Sequence, residues 1–259
     1  MRNLLLILIL FTTALSAQVM SFVKPSTVLD NTNGLLAFWK FEESASPYSD
    51  YTGTYALSKF YSASPASVDG IIGKAVDFEW DTRGNFLFIR VVDALAFDNV
   101  TFTLSCWVKF ESIESTYFVG LMSRYNIGGG KREYGIFCNN DLKCFDFRIS
   151  SDGLVTASAK TPDASVTTGV WYNVVGWYNA VTDSAYIAIN DGTIYRTYWP
   201  TGSKPASNDF FLGTNYSLET THMDGIIDCA GVWSVCPQAS DGYAMLTSLY
   251  NSGAGWEPE

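Results

Sequence analysis

Three carboxylates stand at alternate positions in Asp77-Phe-Glu-Trp-Asp81. Alternate side chains of an extended chain share one face, so Asp77, Glu79 and Asp81 would project together. Such a row suits acid–base work at a glycosidic bond. Retaining hydrolysis needs two carboxyls about 5–5.5 Å apart, a separation that i, i+2 neighbours approach. Thr82-Arg-Gly-Asn85 follows at once, and Arg83 can instead neutralise a carboxylate. Other chemistries find fewer residues. His222 is the single histidine, which excludes a His-rich zinc site or an HExxH helix. A Ser-His-Asp triad would have to use it, and no Gly-x-Ser-x-Gly elbow occurs. His222 therefore reads as a loop residue. Gly128-Gly-Gly-Lys131 lacks the spacing of a phosphate loop and reads as a hairpin loop.

Sugar binding asks for aromatic faces with polar groups beside them. Tyr198 and Trp199, within Tyr195-Arg-Thr-Tyr-Trp-Pro200, and Trp80 lie in or near predicted loops and are the candidate stacking residues. Trp107 lies on the polar face of its strand. Taken singly, each ring suits packing against a neighbouring strand better than stacking on a sugar. Asn99-Val-Thr101 and Asn215-Tyr-Ser217 match the glycosylation sequon. Asn99 and Asn215 are candidate acceptors if the source is a eukaryote or one of its viruses.

Five cysteines occur, Cys106, Cys138, Cys144, Cys229 and Cys236. Cys138 and Cys144 flank Asn139-Asn-Asp-Leu-Lys143, a turn-like stretch. If residue 138 faces residue 144 on adjacent antiparallel strands, Phe137 faces Phe145 and the cysteines share the opposite face. That register favours a Cys138–Cys144 disulfide, with two free thiols as the alternative. Cys106 sits on an apolar strand face and reads as a small buried hydrophobe. Cys229 and Cys236 can pair only if the chain turns sharply around Ser234. In a monomer one thiol is left over.

The elements that must position these residues are strands. In residues 101–110, Phe102, Leu104, Cys106, Val108 and Phe110 alternate with Thr101, Thr103, Ser105, Trp107 and Lys109, a period of two. Residues 145–149 alternate in the same way. Residues 169–178 are apolar on both faces, as a central strand would be. Residues 184–192 make a strand ending in an Asn-Asp-Gly turn. Residues 35–41, 70–78, 85–91, 210–213 and 223–233 complete the set, with a loop over 42–53. Ala244, Met245, Leu246 and Leu249 predict a short closing helix.

Composition sets the class. Residues 1–17 combine a short basic end, an apolar run over 4–11 and small residues, which predicts a signal peptide cleaved near Ser16 or Ala17. The run is too short to span a bilayer, which takes roughly 20 apolar residues. Residues 18–33 read as a loose leader. About 240 residues remain, within the range of one all-β domain. Charged residues make up 16% and apolar residues 47%, so the chain is not disordered. The formal net charge of −10 disfavours phosphate backbones and anionic membranes as partners, and tolerates neutral sugars and cations.

In order and spacing, the pieces resemble a known family. Residues 34–43 and 223–233, followed by 249–255, resemble the first and last strands of laminin G-like domains, part of the concanavalin A-like lectin/glucanase superfamily. Residues 101–110 are similar to that family's FTISAWVK strand, and residues 169–192 to its W-H-V-A … L-Y-V-N-G hairpin. The resemblance covers roughly residues 34–256. It implies an all-β fold, a two-sheet antiparallel β-sandwich of jelly-roll type, with the short C-terminal helix appended. It also implies a structural calcium ion where the first strand and its loop meet the last strand, held by Glu42, Asp50 and Asp228 with backbone carbonyls. Laminarinase-type glycoside hydrolases share the jelly roll and carry a carboxylate row. In the laminin G-like alignment, however, Asp77, Glu79 and Asp81 fall where a strand runs into a surface turn. The expectation is therefore a secreted, non-enzymatic domain that recognises a glycan or an extracellular protein. The rivals are a glycoside hydrolase using Asp77, Glu79 and Asp81, and a structural or adhesive surface protein.

Overall fold

The computed structural model describes residues 30–60, 64–80, 86–91, 93–113, 118–215 and 222–259. The expected signal peptide, residues 18–29 of the leader, Asp81 and Arg83 lie outside the described residues. The strands are β1 (Leu35–Trp39), β2 (Leu57–Lys59), β3 (Ala66–Asp69), β4 (Lys74–Phe78), β5 (Leu87–Ile89), β6 (Phe102–Phe110), β7 (Phe118–Asn126), β8 (Lys131–Asn139), β9 (Cys144–Ile149), β10 (Ala157–Lys160), β11 (Trp171–Asn179), β12 (Ser184–Ile189), β13 (Ile194–Tyr198), β14 (Phe211–Leu212) and β15 (Gly225–Trp233). One helix, α1 (Ala244–Tyr250), follows.

The strands form two antiparallel sheets. An eight-stranded sheet runs β13-β12-β11-β6-β15-β4-β3, with β1 also paired to β15. A seven-stranded sheet runs β10-β9-β8-β7-β14-β5-β2. The first and last strands are neighbours, with Phe38 opposite Gly231 and Trp39 opposite Ala230. A bulge interrupts β15 between Asp228 and Gly231. There β15 changes its second partner, from β4 through residues 225–227 to β1 through 230–233. Cys229, at the bulge, adopts φ +46°, a left-handed backbone that bulges accommodate.

The alternation in residues 101–110 does what period two demands. Phe102, Leu104, Cys106, Val108 and Phe110 enter the core between the sheets, beside Ile136, Phe145 and Phe147 from the other layer. The opposite face of β6 departs from expectation. Trp107 is buried in a second apolar cluster on the outer face of the eight-stranded sheet, with Phe38, Trp177 and Trp233. Met245, Leu246 and Leu249 of α1 cover it, and Tyr250 stacks on Trp107 at 5.7 Å. A face flanked by Thr and Ser is buried because the closing segment lies across it.

The hairpin β8–β9 corrects the expected disulfide. Cys144 lies opposite Asn139, and Cys138 lies opposite Phe145. A slip of one residue from the expected register turns the two cysteines to opposite faces. Cys138 points into the core, Cys144 points away from it, and all five thiols are free. The reason is apolar matching: this register sets Ile136 against Phe147 and Cys138 against Phe145, both pairs in the core.

Candidate functional site

β15 gathers carboxylates at one end of the sandwich. Gly225 pairs with Phe78 of β4 on one side and with Phe110 of β6 on the other. The next residues at that end are therefore neighbours: Glu79, Asp224 and Glu111. The Glu111 backbone N–H donates to the Asp224 carbonyl at 3.1 Å. One row further in, Ile226 sets Asp77 beside Lys109, whose ammonium lies 5.1 Å from the centre of the Trp171 ring. Gly225 permits this crowding. Its φ is +144°, and a Cβ there would stand 2.3 Å from the Lys109 carbonyl oxygen.

Carboxylate oxygens of Asp77, Glu79 and Glu111 come within 4.8 Å of one another. Asp77 is half-buried and its Oδ1 has no hydrogen-bond partner. Burial, then the charges of Glu111, Glu79 and Asp224, push its carboxyl up to about 6, against the opposing pull of Lys109. A carboxyl that keeps its proton toward neutrality suits general-acid work, and the same three carboxylates with that proton lost offer oxygen ligands to a hard cation. Trp80 follows directly and is 56% exposed. On the other side of Glu111 opens a polar cleft of about 450 Å³, lined by Glu111, Ser112, Lys143, Thr167 and Thr168 among others.

Of the expected acid row, the structure brings Asp77 and Glu79 together, while Asp81 lies outside the described residues. Glu111 takes the third place. It stands 32 residues from Glu79 in the chain, and only the shared pairing of β4 and β6 with β15 makes them neighbours. The one local signal was that Asp77-Phe-Glu79 and Lys109-Phe-Glu111 both end a strand in Phe-Glu.

The expected stacking residues do not converge. Tyr198, 66% exposed, ends the edge strand β13 opposite Ser184. Through Asn179 and Tyr178 that position aligns with Phe102, whereas Trp80 lies near Phe110. Tyr198 and Trp80 are thus at opposite ends of the sandwich, separated by most of a nine-residue strand of about 3.3 Å per residue. Trp199 is half-buried against the core, and its Nε1 donates to the Gly202 carbonyl at 2.8 Å. Asn99 is exposed, and its Oδ1 accepts from the Tyr178 hydroxyl at 3.1 Å. Asn215 is buried, with Nδ2 donating to the Phe118 carbonyl at 3.2 Å. A glycan there would have to break that bond.

Glu42, Asp50 and Asp228 do not meet as a ligand set. The acidic trio within ligand range, among the described residues, is the one at Glu111. Asp50 is buried and accepts from the backbone N–H groups of Phe38, Thr52, Thr54 and Tyr55 and from the Thr52 hydroxyl. Asp228 is fully buried. Its Oδ2 accepts from the N–H of Ile71 at 2.7 Å and of Ile72 at 3.1 Å, and its Oδ1 from that of Cys229 at 2.6 Å. Glu42 accepts from the N–H of Lys74 at 2.9 Å. Both oxygens of Asp50 and of Asp228, and one of Glu42, face N–H hydrogens, whereas a cation needs bare lone pairs. The three residues as placed do not fit the calcium ion that the resemblance implies.

No curated protein sequence matches the chain. Solved structures share its fold. The binding domain of Paraclostridial Mosquitocidal Protein 1 superposes with a TM-score of 0.66 at 12% identity, over 85% of this chain and 53% of that one. The chain thus spans about half the length of that binding domain. Domain 4 of AbnA, a GH43 extracellular arabinanase from Geobacillus stearothermophilus, solved in complex with arabinotriose, gives 0.59 at 18% identity, over 82% and 97%. The botulinum neurotoxin serotype D ligand binding domain, solved in complex with N-acetylneuraminic acid, gives 0.59 at 12% identity, over 82% and 50%. A family model matches residues 84–241, more than half of the chain. With two facing antiparallel sheets and adjacent first and last strands, the chain belongs to the Laminin_G_3 family of the concanavalin A-like lectin/glucanases superfamily.

Proposed function

We propose that this protein is an exported, non-enzymatic recognition domain that binds a carbohydrate at the end of the sandwich marked by Trp80, Glu111 and the cleft beside them. The observation that carries this reading is that Glu111 belongs both to a group of carboxylates and to a hydroxyl-bearing cleft, with the exposed Trp80 next in the chain to Glu79 of that group. Sugar C–H faces stack on indoles, and carboxylates accept from sugar hydroxyls. The arabinanase domain supports the reading, because it matches along nearly its whole length and was solved with an oligosaccharide.

Titration calorimetry of the domain without residues 1–17 against soluble neutral oligosaccharides, arabino-oligosaccharides among them, is the test. Trp80→Ala and Glu111→Gln are each expected to weaken binding by tenfold or more, about 1.4 kcal/mol. Binding unchanged in both variants would move the site elsewhere.

One observation favours a second reading, glycoside hydrolysis. Asp77 is protonated up to about pH 6 and shares its site with Glu79 and Glu111. A raised acid beside ionised carboxylates is the arrangement glycosidases use. A reducing-sugar release assay separates the two readings. Turnover lost in both Asp77→Asn and Glu111→Gln would establish the enzyme, and binding without release would establish the lectin.

A further inference from the structure

The junction of the first and last strands is closed by the protein's own backbone. Residues 70–74 form a tight turn, with the Gly70 N–H donating to the Gly73 carbonyl at 3.0 Å. The turn is folded over the outer face of the eight-stranded sheet, where Ile71 and Ile72 pack on the second apolar cluster. Its outward N–H groups converge on two carboxylates from distant parts of the chain. Ile71 and Ile72 donate to Asp228, and Lys74 donates to Glu42. The contact is close enough to dictate residue type. A Cβ on Gly70 would lie 2.4 Å from Asp228 Oδ2, and one on Gly73 would lie 2.1 Å from Glu42 Oε1.

We propose that this turn takes the place of a metal ion: its amides satisfy Asp228 and one oxygen of Glu42 with hydrogen bonds, and the junction does not take up calcium. Successive backbone N–H groups curled around an anion form an established class of anion-binding concavity, and here the anions are the protein's own side chains. Asp50 completes the arrangement from the other side. Its donors tie the loop after β1 to Phe38, the residue that pairs with Gly231 of β15. Three carboxylates thereby join the loop after β1, the 70–74 turn and β15, with Asp50 and Asp228 each accepting at both oxygens.

Two measurements on the domain without residues 1–17 test this. The first is thermal unfolding in EGTA and in millimolar calcium chloride, for the wild type, Asp228→Asn, Asp50→Asn and Glu111→Gln. The midpoint of the wild type is expected to agree in the two buffers within about 1 °C. An ion bound a hundredfold above its dissociation constant would raise it by something on the order of 5–10 °C. A rise abolished by Asp228→Asn or Asp50→Asn but kept in Glu111→Gln overturns the proposal. A rise abolished by Glu111→Gln alone puts the ion at the Asp77, Glu79 and Glu111 cluster and leaves the junction as proposed. The second is a pair of backgrounds for Gly70→Ala. Its loss of midpoint is expected to shrink when Asp228 is also changed to Ser, because the colliding oxygen is gone, and full additivity counts against the clamp. If Asp228→Ser does not fold, wild-type hydrogen exchange decides. The Ile71 and Ile72 amides should exchange slowly with or without EGTA, and rapid exchange at both refutes their bonds to Asp228.

Discussion

Asp77 illustrates how much a single side chain can be governed by residues far from it in the chain. Its carboxyl is raised by burial first and by Glu111 next. Removing the Glu111 charge should therefore move it back toward the ordinary aspartate value of about 4. Carbon-detected NMR titration of Asp77 in Glu111→Gln measures this. A midpoint unchanged from the wild type would mean that Glu111 does not face it. Arg124 shows the opposite arrangement at the far end of the sandwich. It is fully buried and pairs with Glu133 through two bonds of 2.9 Å, Nε to Oε2 and Nη2 to Oε1. It also donates to the carbonyls of Ala94 and Ala206, which ties two loops to the seven-stranded sheet. Glu133→Gln leaves the buried guanidinium only the exposed Asp93 carboxylate, 3.7 Å away, and should cost about 3–5 kcal/mol in urea unfolding. Neither Arg124 nor Glu133 lies in a strand expected from the alternation, and their pairing was not foreseen. A charged residue within an apolar run is the one local hint of a buried partner.

At the scale of elements, the informative failure is the β8–β9 register. Phe137, Cys138, Phe145 and Phe147 are all apolar, so hydrophobic alternation supports two pairings that differ by one residue. The choice was made by the facing layer, where Phe102 lies 6.0 Å from Phe147 and Phe110 lies 6.2 Å from Phe145. Titration of the denatured, unreduced protein with a thiol reagent should accordingly count five free thiols, and a count of three would restore one disulfide. Helix α1 was legible because Ala244, Met245, Leu246 and Leu249 repeat at helical spacing, and its role as the cover of an outer sheet face was not. Leu249→Ala should destabilise the fold by about 2–4 kcal/mol, since it opens the contact over Trp107 and Trp177. A loss under about 0.5 kcal/mol would mean that α1 does not hold the sheet.

For the whole molecule, acid should stabilise before it destabilises. Asp77 and Asp228 have carboxyls raised to about 6 in the fold, chiefly by burial, from an ordinary 3.8. Each binds its proton more readily folded than unfolded, so each favours the fold increasingly as pH falls from about 6 toward 4. His222 opposes them. It is 5% exposed, its two ring nitrogens have no partner, and burial lowers its pKa from 6.5. Its contribution is complete above pH 6.5 and is lost as pH falls toward its folded value. The net charge of −10 also declines on acidification and relieves self-repulsion. Two carboxyls and the net charge outweigh one imidazole, so the melting midpoint should be higher at pH 5 than at pH 7. Asp228→Asn should flatten that rise. A midpoint that falls steadily from pH 7 would instead mean that His222 dominates.

Alternation and turn residues located most of the strands, though not β2, β3, β7, β10 or β13, and the order of short motifs, as a family resemblance, implied the two-layer fold and the neighbouring first and last strands. The strands rest on local backbone preference and on each having an apolar face, which are properties of a few consecutive residues. Tertiary structure decided the rest: Glu111 beside Asp77, the cysteines on opposite faces, and Glu42 and Asp228 closed over a peptide turn. Each is a contact between segments remote in the chain, chosen by which register and which cover bury the most surface while satisfying every buried amide, and no single segment carries that information.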